Sequence, residues 1–340
     1  MAYSLTHIML ILVLAASACA GDSGKVAFRP AEAENSIKIY LGEEHFTSLF
    51  YPDDLEKPVL YPIFSSSGKE ITRGFPYNPR PYERTDHLHH VGLWLNFGDV
   101  NGLDFWNNSP NVSPENRHRF GSIRFGGIVT KDPGAGKLVV ASDWVDHEEN
   151  VLINEETTFV FGEENGTRTI KRTSVLTAVA DVTFSGNKEG LLGLRVDKAF
   201  EGPDSRARIY VDSEGRIMDD RMVQTTGRTG EYRNADGHIG RDVWSERSPW
   251  VALRGEIEGE IITIAIFDHQ SNPYYPAWSH ARSYGLFAVN NLGGKGMRDD
   301  AEDVEIKLRP GEGITFTHLV VIGGDMADDE LDQRLREFHR

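Results

Sequence analysis

Apolar and polar residues alternate with a period of two along much of this chain. The runs SIKIYLG (36–42), SIRFGGIVT (122–130), KLVVASDWV (137–145), RTIKRTSVLTAVADVTF (168–184) and ITFTHLVVIGG (314–324) show it. Successive side chains of a strand point to opposite faces, so this alternation predicts strands. Other β-rich runs include VGLWLNF (91–97), GLLGLRV (190–196), IITIAIF (261–267) and YGLFAVN (284–290). Gly, Asn, Asp and Pro cluster between them as turns. Helical periodicity is scarce. The one convincing helix is MADDELDQRLREFHR (326–340), whose early acids and late arginines complement the helix dipole. More than a dozen strands and one helix predict an all-β fold, a large antiparallel β-sandwich with one C-terminal helix. The expected divisions are a leader at 1–18, a linker at 19–34, one sandwich domain at 35–325 and the helix at 326–340. The stretch Ser213 to Trp244, glycine-rich and of mixed charge, reads as a long loop.

Composition narrows the partners. With 340 residues, 39% of them hydrophobic, the chain can bury a large core. Its formal net charge of −16 argues against nucleic acid, which needs a basic footprint. The apolar stretch Ile8 to Ala18 is too short to span a bilayer and is followed by small residues, as in a signal peptide. The sole cysteine, Cys19, follows LAASA, an arrangement that resembles a bacterial lipobox with Ala16 where Leu is usual. An exported lipoprotein anchored through Cys19 is expected, outer-membrane or periplasmic; plain secretion with cleavage after Ala18 or Ala20 is the alternative. A lone cysteine also rules out an intrachain disulfide.

The densest candidate chemistry lies in TDHLHHVGLWLNFGDVNGLDFWNN (85–108). Read as a strand from His90 to Phe97, it puts Val91, Leu93, Leu95 and Phe97 on a core face. His90, Gly92, Trp94 and Asn96 then share an exposed polar face. Imidazole, indole and carboxamide together suit a sugar, which has apolar ring faces and hydroxyl edges. The competing reading is a polar outer face with one half-buried Trp. His87 and His89, two apart, could share a divalent metal with Asp86 or Asp99; histidines at a strand end bonded to backbone are equally compatible with this spacing. Asp99, Asn101 and Asp104 are turn-formers by type, but their proximity also makes them candidates to orient His90.

Two further stretches carry polar faces. In DHQSNPYYPAWSHARSYGLFAVN (268–290), His280, Arg282 and Tyr284 share parity and could act as acid/base, anion clamp and phenolic proton donor; His269 lies at its start. In NKEGLLGLRVDKAF (187–200), Glu189, Leu191, Gly193 and Arg195 alternate with core-like Leu192, Leu194 and Val196, so Glu189 could be a base whose pKa Arg195 lowers. A surface ion pair is the bland alternative. There is no P-loop, GxSxG, dinucleotide fingerprint, HExxH or paired CxxC.

The segments DHLHHVGLW…GDVNGLDFW, KEGLLGLRV, SERSPWV and DHQSNPYYPAWSHARSYGLFAVN resemble the bacterial family labelled "methane oxygenase PmoA", over roughly Ile37 to Gly324. That family reads DHPHHRGLW where Leu88 and Val91 stand here in place of Pro and Arg. The resemblance implies a secreted β-supersandwich similar to galactose mutarotase-like proteins and common in bacteria that degrade polysaccharides. A carbohydrate-active enzyme is therefore expected, an epimerase, lyase or hydrolase. His90 and His280 would transfer protons, with Glu189 or Asp99 as base or orienter. Trp94, Asn96, Asn101, Trp106, Arg195, His269 and Arg282 would bind substrate. The alternatives are a glycan-binding lipoprotein and a metal-dependent oxygenase or hydrolase using His87 and His89.

Overall fold

The computed structural model describes residues 25–340. The expected leader and the expected lipidation site, Cys19, lie outside the described residues. Eighteen strands follow in chain order. They are β1 (Val26–Ala31), β2 (Ser36–Leu41), β3 (Glu44–Phe50), β4 (Val59–Ile63), β5 (Leu93–Phe97), β6 (Ser122–Asp132), β7 (Lys137–Val145), β8 (Val151–Glu164) and β9 (Thr167–Ala178). The rest are β10 (Val182–Ser185), β11 (Gly190–Arg195), β12 (Glu231–Asn234), β13 (Trp250–Ile257), β14 (Glu260–Asp268), β15 (Trp278–Arg282), β16 (Leu286–Asn290), β17 (Glu305–Leu308) and β18 (Gly313–Gly323). The C-terminal helix α1 spans Asp328–Phe338, and Gly294–Met297 forms a single helical turn. The expected antiparallel sandwich with a C-terminal helix is what forms. One boundary moves: β1 lies inside the segment expected to be a linker and pairs along its length with β2.

Two eight-stranded antiparallel sheets make up the body. One runs β1-β2-β3-β4-β5-β11-β16-β15, the other β12-β13-β14-β18-β9-β8-β7-β6. The pair β10-β17 stands apart. In β8 and β9 the alternation of the sequence becomes alternation of burial: Ile153, Glu155, Thr157, Phe159 and Phe161 point in while their neighbours point out. The main core fills the space between the sheets, with Leu93, Leu95, Phe97, Leu192, Leu194, Phe287 and Val289 as the first sheet's share of it.

Strands β5, β11 and β16 are buried on both faces. One face joins the main core. The other carries a second cluster containing Tyr61, Val91, Trp94, Trp106, Leu286 and Ala288. This second cluster, on the outer face of the first sheet, supports the candidate site. A third cluster, around Trp250, Phe267 and Leu331, seats α1 on the other sheet, where Trp250 Nε1 donates to Asp332 at 2.8 Å.

Candidate functional site

The floor of the site is a row across four strands. Trp94 of β5 pairs with Gly193 of β11, Gly193 with Ala288 of β16, and Ala288 with His280 of β15. The two small residues leave a trough between Trp94 and His280, and Trp106 fills it. A Cβ on Gly193 would lie 2.6 Å from Trp94 Cζ2 and 2.9 Å from Trp106 Cη2, so only glycine lets both indoles cross there. Trp106 arrives on a loop that Asp104 ties: its carboxylate accepts the Trp106 and Asn107 amides, each at 2.9 Å. Asn96 Nδ2 donates to Phe105 O at 2.6 Å and pins the same loop to β5.

The histidines sit above this floor. The strand starts at Leu93, so His90 belongs to the loop before it and Val91 packs with Trp94 rather than in the main core. Two buried cations clasp this loop by its carbonyls, which a strand ladder would otherwise satisfy. Arg73 donates to the carbonyls of Arg84 (3.2 Å), Asp86 (2.7 Å), His87 (2.9 Å) and His90 (2.9 Å). Lys57 Nζ donates to His89 O at 2.7 Å and lies 5.3 Å from the centre of the Trp94 ring. Burial pushes the Lys57 amine down to about 7, against the pull of Glu56 and Asp104.

His90 is buried, and its ring lies near Trp94 (5.3 Å), Trp106 (5.8 Å) and His87 (4.8 Å, parallel within 4°). Arg195 Nη1 approaches His90 Nδ1 at 3.5 Å. A guanidinium can only donate, so Nδ1 accepts and the ring proton rests on Nε2. His90 Nε2, Trp94 Nε1 and Trp106 Nε1 are thus three buried N–H donors without an acceptor among the described residues. Their rings are packed within 6 Å of one another. Burial, then the neighbouring cations, holds His89 and His90 well below the ordinary imidazole range. His280 is pushed down to about 3 by burial, with Arg282 and Lys188 adding to it.

At the surface stands a pair of different character. His87 Nδ1 meets Asp86 Oδ1 at 3.1 Å, and the His87 side chain is 37% exposed. Its backbone adopts φ 48, a left-handed conformation uncommon for a non-glycine residue. Asp86 Oδ1 also accepts from Arg195 Nη2 at 2.9 Å and from Arg73 Nη1 at 3.4 Å. Partial burial opposes the charge on Asp86, but Arg195, His87 and Arg73 outweigh it and hold the carboxyl well below its ordinary value. The Tyr284 ring lies parallel to His87 at 4.8 Å, and the Arg195 guanidinium lies 5.1 Å from the centre of that ring. Burial raises the Tyr284 phenol, so it stays protonated at neutral pH.

The structure therefore gathers His87, His89, His90, Trp94, Trp106, Arg195, His280 and Tyr284 into one cluster, with Asn96 pinning its floor and Arg282 beside it on Trp244, and disperses Asp99, Asn101, Glu189 and His269. Trp94, Asn96 and Trp106 are buried, not an exposed platform, because the loop through Trp106 folds over the strand face. Asp99 does not orient His90; its carboxylate accepts the Gly102 amide at 3.0 Å in a turn. Asn101 pins the same turn, donating to Asp181 O (2.9 Å) and accepting from Thr183 N (2.7 Å). Glu189 pairs with Lys188, and Arg195 with Asp86, so the expected Glu189–Arg195 pair does not exist. Leu191 packs in the main core. His269 lies at the other sheet, against Ser271, Phe338 and His339. Among the described residues no three His, Cys, Asp or Glu side chains converge as a metal-ligand set. His87 spends its Nδ1 on Asp86, and His89 turns its ring edge-on to His87 at 5.7 Å.

Nothing in the sequence singles out Arg73 or Lys57, and only the fold shows their burial. Trp244 is a further gain. It closes the long loop 213–244, which itself contains β12, and packs edge-on to His280 at 5.0 Å.

No curated protein matches this chain in sequence. Among solved structures it is similar to a GH36 α-galactosidase from Geobacillus stearothermophilus in complex with raffinose, at 12% identity and a TM-score of 0.35, over 93% of this chain and 43% of that one. A polysaccharide lyase matches at 10% identity and a TM-score of 0.32, over 93% and 34%. A galactose mutarotase-like protein from Clostridium acetobutylicum matches at 11% identity and a TM-score of 0.36, over 89% and 99%. The chain spans less than half the length of that α-galactosidase and of the lyase. The model of DUF6807, a family of unknown function, matches residues 36–336, and the chain belongs to that family.

Proposed function

We propose that the chain is a carbohydrate-active enzyme that moves protons on a sugar, with His87 as its base and Tyr284 as its proton donor. The observation that carries this reading is the Asp86–His87 pair. Asp86 is ionised, braced by two buried arginines, and bonded to Nδ1, which leaves the exposed imidazole's Nε2 to take a proton. Tyr284 stands protonated beside it. A backbone strained at His87 is the kind of outlier that clusters at working sites. His90, His280 and the two indoles lie beneath and are unexposed, so they support and polarise the site without touching substrate.

Proton transfer of this kind serves epimerisation, β-elimination and hydrolysis alike. The test is a screen of polysaccharide fragments for product, with wild type and His87→Gln side by side. The variant should lose roughly 10²- to 10⁴-fold in turnover, the usual contribution of a positioned base, with an unchanged melting temperature. Full activity in His87→Gln would overturn the assignment. Fragments that bind but never turn over would mark a glycan-binding protein instead.

A further inference from the structure

Beside this cluster lies a cavity of about 760 Å³, lined by Tyr232, Trp244, Arg241, Arg282 and the loop Gly202 to Arg206. It adjoins the proposed site. Arg282 and Arg195 occupy one row, each paired with Leu286 between them, and both side chains share the outer face. Two strand spacings, about 10 Å, separate them. Trp244 touches both sides: its ring meets His280 at 5.0 Å, and the Arg282 guanidinium carbon sits over it, 3.2 Å from the ring centre.

The charge in this cavity runs against the chain as a whole. The protein carries a net −16. The cavity wall instead presents Arg206, Arg241 and Arg282 against Asp204 and Glu231. Asp204 is already committed, accepting from Arg84 and Arg206 at 3.1 and 2.8 Å. Arg282 makes no ion pair among the described residues, and neither does Arg241. Tyr232 cannot serve as a counter-ion, since its hydroxyl donates to Leu286 O at 2.9 Å and burial keeps the phenol protonated. A guanidinium seated over an indole, in no ion pair with the Asp204 or Glu231 of the same wall, keeps its N–H donors for a planar or tetrahedral oxyanion.

We infer that this cavity binds an anionic substituent, a carboxylate or a sulfate, on the glycan that the neighbouring site acts on. Arg282 clamps the group from its seat on Trp244 and Arg241 closes on it from the cavity rim. The inference rests on the reading of His87 and Tyr284 as a carbohydrate site, and it narrows that site's substrates to uronate-containing or sulfated glycans.

The test is titration calorimetry of the full chain in the His87→Gln background, which removes turnover, against three matched sets of oligosaccharides: neutral, uronate-containing and sulfated. Charged fragments should bind at least about tenfold tighter than neutral ones, with affinity falling as salt rises. Arg282→Gln should abolish the difference and leave neutral fragments unaffected; Trp244→Phe, which keeps a ring beneath Arg282, should retain most of it. Which charged set binds distinguishes carboxylate from sulfate. Equal affinity for neutral and charged fragments, no binding of any set, or an Arg282→Gln variant of unchanged selectivity would overturn the inference. Turnover of neutral fragments by wild type would then leave the catalytic reading standing alone. Charge-selective binding without turnover in wild type would do the reverse.

Discussion

Replacing Asp86 by Asn tests the site at its hinge. The carboxylate oxygen Oδ1 faces three donors: His87 Nδ1 at 3.1 Å, Arg195 Nη2 at 2.9 Å and Arg73 Nη1 at 3.4 Å. Both arginines are buried, at 0% and 1% side-chain exposure, while Asp86 is 33% exposed. Asparagine keeps the shape and removes the charge. Its amide oxygen can stand where Oδ1 stands and still accept from the same donors, so what the variant loses is the charge. Stripping one partner from a buried ion pair costs about 3–5 kcal/mol. Water reaches Asp86, so part of that loss is recovered, and roughly 2–3 kcal/mol is the expected destabilisation. In a chain of 340 residues that lowers the melting temperature by about 3–4 °C. Turnover should fall further than stability suggests, by roughly 10²- to 10⁴-fold, because the imidazole loses both its orientation and its counter-charge. The pH dependence has a definite sign. The folded carboxyl titrates below its ordinary value of 3.8, so its stabilisation is fully present above that value and is lost only in stronger acid. The gap between wild type and Asp86→Asn should therefore stay level from about pH 5 to 8 and narrow only in acid. Calorimetric melting across pH, with turnover assayed on any fragment the wild type converts, provides both readouts. A variant with wild-type stability and wild-type turnover would show that Asp86 braces nothing and would refute the reasoning. A double-mutant cycle with His87→Gln should place the coupling in turnover rather than in stability.

Two further outcomes follow from the layer beneath. Gly193→Ala drives a Cβ to 2.6 Å from Trp94 and 2.9 Å from Trp106, so overpacking should cost about 1–3 kcal/mol and shift tryptophan fluorescence, whereas an unchanged spectrum and melt would mean the indoles do not cross there. Burial lowers the folded pKa values of His89, His90 and His280, so the unfolded chain binds more protons below the ordinary imidazole value of 6.5, and stability is lost as pH falls through that region. Asp268, pushed up to about 6 by burial, acts in the opposite sense at mildly acid pH, so the comparison of variants is the test: with stability measured by urea titration at each pH, His280→Phe should lose less stability than wild type between about pH 6 and 4, and equal losses would show that His280 is not held neutral.

Much of the fold was legible because a half-buried strand writes its two environments into alternate residues. Burial alternates along strands β8 and β9 as the strand period requires, although the inward face also takes Glu155, Arg172 and Ser174, while Val175 faces out. The alternation also placed Trp94, Gly193, Arg195, His280 and Arg282 on one side of their strands, where the structure finds them. It failed at His90 and Val91, because the residues before Leu93 are a loop clasped by Arg73 and Lys57 and have no strand parity to follow.

The sequence by itself determined the class of the fold, the faces of its strands and the residue types available for chemistry, since each of these depends on neighbours one or two positions away. Only the tertiary structure decided which of those residues meet. Asp86 pairs with Arg195, 109 positions along the chain, and Asp99, close in sequence to His90, spends itself on a turn. Burial was likewise a tertiary decision. An indole on a strand's outer face is exposed until another segment covers it, and here the loop through Trp106 folds back over Gly193 and converts an expected sugar platform into the floor beneath an Asp86–His87 pair.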